Sequence, residues 1–138
     1  MAKPTVGDRR KMKGLARYRK GKPRLVWRFG WQEKQETVEV ITDSDWAGCA
    51  KTRKSTSGGC ILFGSHLIKS WSSTQSNIAL SSGEAELYGV VKAVGMTLGH
   101  QAMFHDLGVA SRIRLWTDSI ATLGICARQG LGTVSYTH

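Results

Sequence analysis

Twice in this chain a short β-prone run ends in the same three residues. Val40 and Ile41 lead into Thr42-Asp43-Ser44, and Leu115 and Trp116 lead into Thr117-Asp118-Ser119. In an α/β sheet, parallel strands with matching ends bring their last side chains together at the carboxyl edge, where such folds bind ligands. The repeat therefore predicts that Asp43 and Asp118 meet. Neighbouring carboxylates repel, and a shared proton or a bound hard cation such as Mg²⁺ makes the pair tolerable.

At 138 residues and 41% hydrophobic, the chain has the size of one soluble domain with a real core. No apolar run approaches the roughly 20 residues of a membrane helix, and the N-terminus lacks a signal-like stretch, so an intracellular setting is expected. Cys49, Cys60 and Cys126 are odd in number and lack CxxC spacing, which reads as reduced thiols rather than a disulfide frame or a zinc site.

The net charge of +10 is local. Residues 1–34 hold twelve of the twenty Lys and Arg against only Asp8 and Glu33, while the remainder balances at eight against eight. A basic helical piece from Arg9 to Lys22 suits a polyanion through phosphate contact, or is a solvated flank of a larger protein. Pro23 ends it, and Leu25 to Trp31 is then a short strand or the tail of a neighbouring domain.

From Thr37 the pattern is regular. Thr37–Thr42 reads as a strand, Ala50–Ser57 as a polar, basic connection with Gly58-Gly59 as the turn signal behind it, and Cys60–Phe63 and Leu67–Ser72 as two more strands of a meander. Glu84–Leu107 is too long for a strand and reads as a helix, with Ser82 as N-cap and Gly108 as its stop. Arg112–Thr117 makes a fourth strand and Ser119 to Arg128 a short helix. Glu84 and Glu86 lie two positions apart and so point to different sides of the long helix. Glu86 shares its face with Gly89, Val90 and Ala93, the small row best suited to lie on a sheet, so it is the one expected to join the aspartates.

The succession TDSDWAG, RKSTSGG, SWSSTQSNIALSSGEAELYGV and LWTDSIATLGI resembles the ribonuclease H domain at the end of the polyprotein of copia-type long-terminal-repeat retrotransposons. The resemblance implies a ribonuclease H-like α/β fold with a mixed sheet over residues 37–132. Residues 1–34 are then the tail of the preceding reverse transcriptase. It carries the family's catalytic, metal-binding acids onto Asp43, Glu86 and Asp118, with Asp45 and Glu84 beside the cluster or on the surface. The implied chemistry is hydrolysis of the RNA strand of an RNA/DNA hybrid, with two Mg²⁺ ions, or Mn²⁺ in their place, activating the attacking water and stabilising the leaving oxygen. Hard oxygen ligands suit those ions, and His66, His100, His105 and His138 show no ligand spacing.

Sensing a 2′-hydroxyl calls for hydroxyl or amide side chains in the minor groove. The resemblance puts Ser81 and Ser82 there, with Gln75 and Asn77 as further candidates, although an N-cap and an ordinary polar loop describe them equally well. Lys51, Arg53 and Lys54 are phosphate candidates, and Trp46 and Trp71 are expected in the core. The partners implied are the hybrid and a reverse transcriptase domain in cis, with no membrane and no small-molecule cofactor. The setting implied is cytoplasmic, within virus-like particles.

Family members continue into a fifth strand and a final helix with a fourth carboxylate. Val134–His138 instead matches a reading frame of a sequencing adapter, so residues 133–138 are expected to be non-native, and a truncated domain is expected to be weakly stable and weakly active. Integrases and transposases share the chemistry, but their acids usually run Asp, Asp, Glu, whereas here the order is Asp, Glu, Asp. A non-catalytic nucleic-acid-binding or connection module is the other alternative, against which the retention of all three acids argues.

Overall fold

The computed structural model describes residues 5–24 and 26–128. The chain divides into two units, one reaching to Gly30 and the other beginning at Trp31. In the first, a reciprocal capping box starts helix α1 (Val6–Gly21). Thr5 Oγ1 accepts from the Asp8 N–H at 3.2 Å, and Asp8 Oδ2 accepts from the Thr5 N–H at 2.8 Å. Both hydrogen bonds satisfy amides that a helix start leaves without partners. Asp8 at the start and Arg19 and Lys20 in the last turn also match the helix dipole. No residue of α1 is buried.

The second unit is built on β1 (Thr37–Asp45), where period-two alternation buries Val38, Val40 and Thr42 and turns Ile41 and Asp43 to the opposite, exposed face. β2 (Thr56–Phe63) runs antiparallel to β1, and β3 (His66–Thr74) antiparallel to β2. Gly64, at φ +60°, makes the sharp connection between them. Gln32 secures that turn, donating to the Phe63 carbonyl and accepting from the Ser65 N–H, both at 2.9 Å.

Helix α2 (Ser82–Asp106) crosses back so that β4 (Arg112–Trp116) lies parallel to β1, and α3 (Ile120–Cys126) follows. The result is an α/β unit with a mixed four-stranded sheet in the order β3-β2-β1-β4. α2 covers one sheet face, where Val38, Val40, Ile61 and Ala93 form the buried centre. Phe63, Ile68, Trp71, Met96, Phe104, Ile113 and Leu115 pack around it, and the Phe63 and Phe104 rings stack at 4.7 Å. Gly89 sets how close helix and sheet come, since a Cβ there would sit 3.3 Å from Thr42 Oγ1 and 3.5 Å from Ser57 Oγ. No helix among the described residues is long and apolar enough to cross a membrane.

Three expectations change, and one open choice narrows. Gly58 and Gly59 are not a turn but the middle of β2, opposite Asp43 and Thr42. The glycine at 59 is needed because a side chain would collide with the Trp71 ring and the Ile41 carbonyl. Of the two readings open for Leu25 to Trp31, the strand is not formed over residues 26–31, where Val26, Trp27, Phe29 and Trp31 are exposed. The long helix is capped by Ser81 rather than Ser82, the Ser81 Oγ accepting from the Glu84 N–H at 3.1 Å. Trp46 is not in the core. It is 49% exposed, and its indole N–H donates to the Ala79 carbonyl at 3.1 Å, which holds the loop before α2 against the end of β1. The expected tail from Val134 lies outside the described residues, as does His138.

Candidate metal centre

β1 outruns its parallel neighbour. The pairing with β4 ends at Ile41 opposite Trp116, whereas β1 stays paired with β2 as far as Asp45. Beyond Ile41 the two parallel strands part, and side chains from three elements enter the opening. Asp43 comes from β1, Asp118 from the turn after β4, and Glu86 from near the start of α2. One carboxylate oxygen from each lies within 4.8 Å of one from each of the others.

Because β4 no longer occupies that side of β1, the Ser44 N–H is free to donate to Glu86 Oε1, at 3.2 Å. Glu86 is only 9% exposed, and its Oε2 is buried with no hydrogen-bond partner. Burial pushes its carboxyl pKa up, the Ser44 N–H opposes that, and the charges of Asp43 and then Asp118 push it further up. An anionic oxygen buried without a donor and faced by two more carboxylates fits a hard divalent cation. The donor set is all oxygen, which suits Mg²⁺ or Mn²⁺, and no His or Cys among the described residues joins it. Asp43 and Asp118 are exposed and line a shallow cleft of about 350 Å³ with Ile41 and Trp116. The buried acid is thus held from behind while the two aspartates face solvent.

The neighbouring acids do other work. Glu84 accepts from the Leu80 N–H at 2.7 Å and from the Tyr88 hydroxyl at 2.9 Å, so it braces the loop ahead of α2. Asp45 accepts from the Thr56 N–H and closes the β1–β2 loop. Gly48 makes room for it, because a Cβ there would overlap the Asp45 carboxylate.

Of the substrate-contact candidates, Ser81 is the cap of α2 and Ser82 is exposed at its first turn. Arg53 is exposed at φ +56° in the loop between β1 and β2, and Lys54 is half-buried beside it. Lys51 and Asn77 are exposed. Gln75 is 9% exposed, and its amide nitrogen donates to Ser57 Oγ and to the Ala85 carbonyl, both at 2.8 Å. It is a strut between β2 and α2, a role that a polar side chain in a Ser-rich loop does not announce.

Two residues at the centre were not singled out from sequence. Ser44 supplies the backbone donor that aims Glu86, and only the shorter length of β4 makes it available. Trp116, half exposed, lines the same cleft as Asp118. The two-residue spacing was the readable signal.

His100 Nδ1 lies 2.7 Å from the Met96 carbonyl, and the three cysteines are free. No protein-family model matches the chain. A curated protein of Arabidopsis thaliana, the uncharacterized mitochondrial protein AtMg00810, is 38% identical over 89 residues, which is 62% of this chain and 35% of the relative. The chain therefore spans about a third of the relative it is similar to.

Proposed function

We propose that the second unit is a ribonuclease H-type nuclease domain of a copia-type retrotransposon polyprotein. On this reading it hydrolyses the RNA strand of RNA/DNA hybrids, alongside a reverse transcriptase domain in cis. The observation that carries the proposal is the cluster itself: Asp43, Glu86 and Asp118, from three separate elements, with a buried and unpartnered Glu86 oxygen among them. The chain order Asp, Glu, Asp and the mixed sheet with parallel β1 and β4 agree with it.

Asp43, Glu86 and Asp118 would hold the divalent ions. A pair of Mg²⁺ or Mn²⁺ bound there would supply an activated water and offset negative charge at the scissile phosphate. Glu86 is the positioned ligand, fixed by the Ser44 N–H and shielded from bulk water. Asp43 and Asp118 stand on the open side, where a backbone phosphate approaches from solvent. The Ser81 hydroxyl spends one acceptor lone pair on the Glu84 N–H and keeps its proton for a ribose oxygen.

The test is a cleavage assay on an end-labelled RNA strand presented as RNA/DNA hybrid, as duplex RNA and as a single strand, with Mg²⁺ or Mn²⁺. Cleavage confined to the hybrid and abolished by Asp43→Asn is the expected result. Hybrid binding without cleavage under either ion would replace the proposal with a non-catalytic binding module.

A further inference from the structure

The first unit holds a feature that the carboxylate centre does not use. In α1 each residue turns about 100° from the one before. On that wheel Arg9, Arg10, Lys13, Arg17 and Lys20 fall within an arc of about 100°. Lys11 and Arg19 lie on the opposite side, together with Asp8, Met12, Leu15 and Tyr18, and Lys22, the capping residue just past the helix, reaches over the Tyr18 ring there. One face is therefore a row of five positive charges with no acid in it. Within α1 the only acid, Asp8, is engaged with Thr5 and points away from that row. All five basic side chains are exposed.

From Arg9 to Lys20 the row runs about 16 Å along the axis at 1.5 Å per residue. A nucleic-acid duplex carries a negative charge about every 1.7 Å of its axis, so over that length it offers more phosphates than the row has cations. No similar stripe of hydroxyl or amide groups accompanies the charges, so the face has the means to hold phosphates and little with which to read bases.

We propose that this face of α1 is a docking surface for the phosphate backbone of a nucleic-acid duplex, binding without regard to base sequence. The surface shares no residue with the carboxylate centre and needs no metal. It stands or falls independently of whether the second unit cleaves anything.

Two variants of the full chain with equal net charge separate face from charge. One carries Lys13→Gln, Arg17→Gln and Lys20→Gln. The other carries Lys11→Gln, Arg19→Gln and Lys22→Gln. Glutamine keeps helix propensity close to that of Lys and Arg, and circular dichroism checks that α1 persists.

Binding to a labelled 24-base-pair RNA/DNA hybrid is followed by fluorescence anisotropy in EDTA from 50 to 200 mM salt. Loss of three phosphate contacts lowers the slope of log affinity against log salt by about 2.7. That drop is expected for the first variant, with the slope nearly unchanged for the second and a base-permuted duplex bound equally well. Equal losses in the two variants would overturn the proposal in favour of undirected charge attraction. A parent chain that does not bind the duplex at 50 mM salt would overturn it outright.

Discussion

Glu86→Gln should reverse its effect on stability when a divalent ion is added. In the metal-free chain Glu86 is a nearly buried anion facing Asp43 and Asp118, with oxygens within 4.8 Å of one another. At that separation two unit charges repel by about 0.9 kcal/mol in bulk water and about 3.5 kcal/mol at an effective dielectric of 20. The aspartates are exposed, so the value for water is the better guide, and removing two such repulsions relieves about 1–2 kcal/mol after salt screening. Gln keeps an oxygen for the Ser44 N–H and puts an amide donor where the carboxylate had a second acceptor. The variant should therefore melt higher in EDTA, by about 4–8 °C per kcal/mol for a domain of this size.

With Mn²⁺ at about a hundred times its dissociation constant, the parent chain gains about 2.7 kcal/mol, and the variant, short of a charged ligand, gains much less. The order of melting temperatures then inverts. Melts by circular dichroism at 222 nm, in EDTA and in a MnCl₂ series, read both arms. A variant that melts lower than the parent in EDTA, or that gains as much from Mn²⁺, would refute the electrostatic argument and the ligand role together.

Three further outcomes are expected. The native chain binds a proton at Glu86 at a higher pH than the unfolded chain does. The cost of ionised Glu86 is thus fully present above its raised pKa, fades as pH falls toward the ordinary value near 4.5, and is absent below it. In EDTA the advantage of Glu86→Gln should shrink over that window on acidification, as a pH series of melts would record. Gly95→Ala and Gly99→Ala, where a Cβ meets nothing within 4 Å, should each stabilise α2 by about 0.8–1.0 kcal/mol in urea titrations, whereas Gly59→Ala, beneath the Trp71 ring, should cost about 1–3 kcal/mol. Ser81→Ala should cost about 1 kcal/mol as a lost cap, with Ser82→Ala within about 0.5 kcal/mol of the parent in the same titrations.

Where local chemistry dominates, the sequence was readable. The alternation of Val38, Val40 and Thr42, the long row Glu86-Gly89-Val90-Ala93 and the left-handed Gly108 each describe a local periodicity or stop that the structure contains. Spacing put Glu84 and Glu86 on different sides of the helix, and the small row Gly89, Val90 and Ala93 favoured Glu86, although Leu87, Tyr88 and Val91 offer a second apolar row beneath Glu84. What was not readable depended on distant neighbours. Gly58-Gly59 has the composition of a turn, and only Trp71 from β3 and the Ile41 carbonyl from β1 make glycine the residue that position 59 needs in a strand. Gln75 looks like loop polarity until Ser57 and Ala85 close on it from two elements. Val26 to Trp31 has strand-like composition but forms no strand, because composition does not decide which strand a segment pairs with.

The early parting of β4 from β1 also bears on the order in which the chain becomes competent. Asp43 sits 43 positions before Glu86 and 75 before Asp118, so no local segment contains two of the three acids at binding distance. The β1-β2-β3 meander can form from near neighbours, but it brings only one of the three carboxylates. The other two arrive only when α2 docks and β4 zips along β1, the steps with the greatest loop-closure cost. On the proposed reading, an ion would bind this centre only late in folding, and its binding would report that the last long-range contacts are in place.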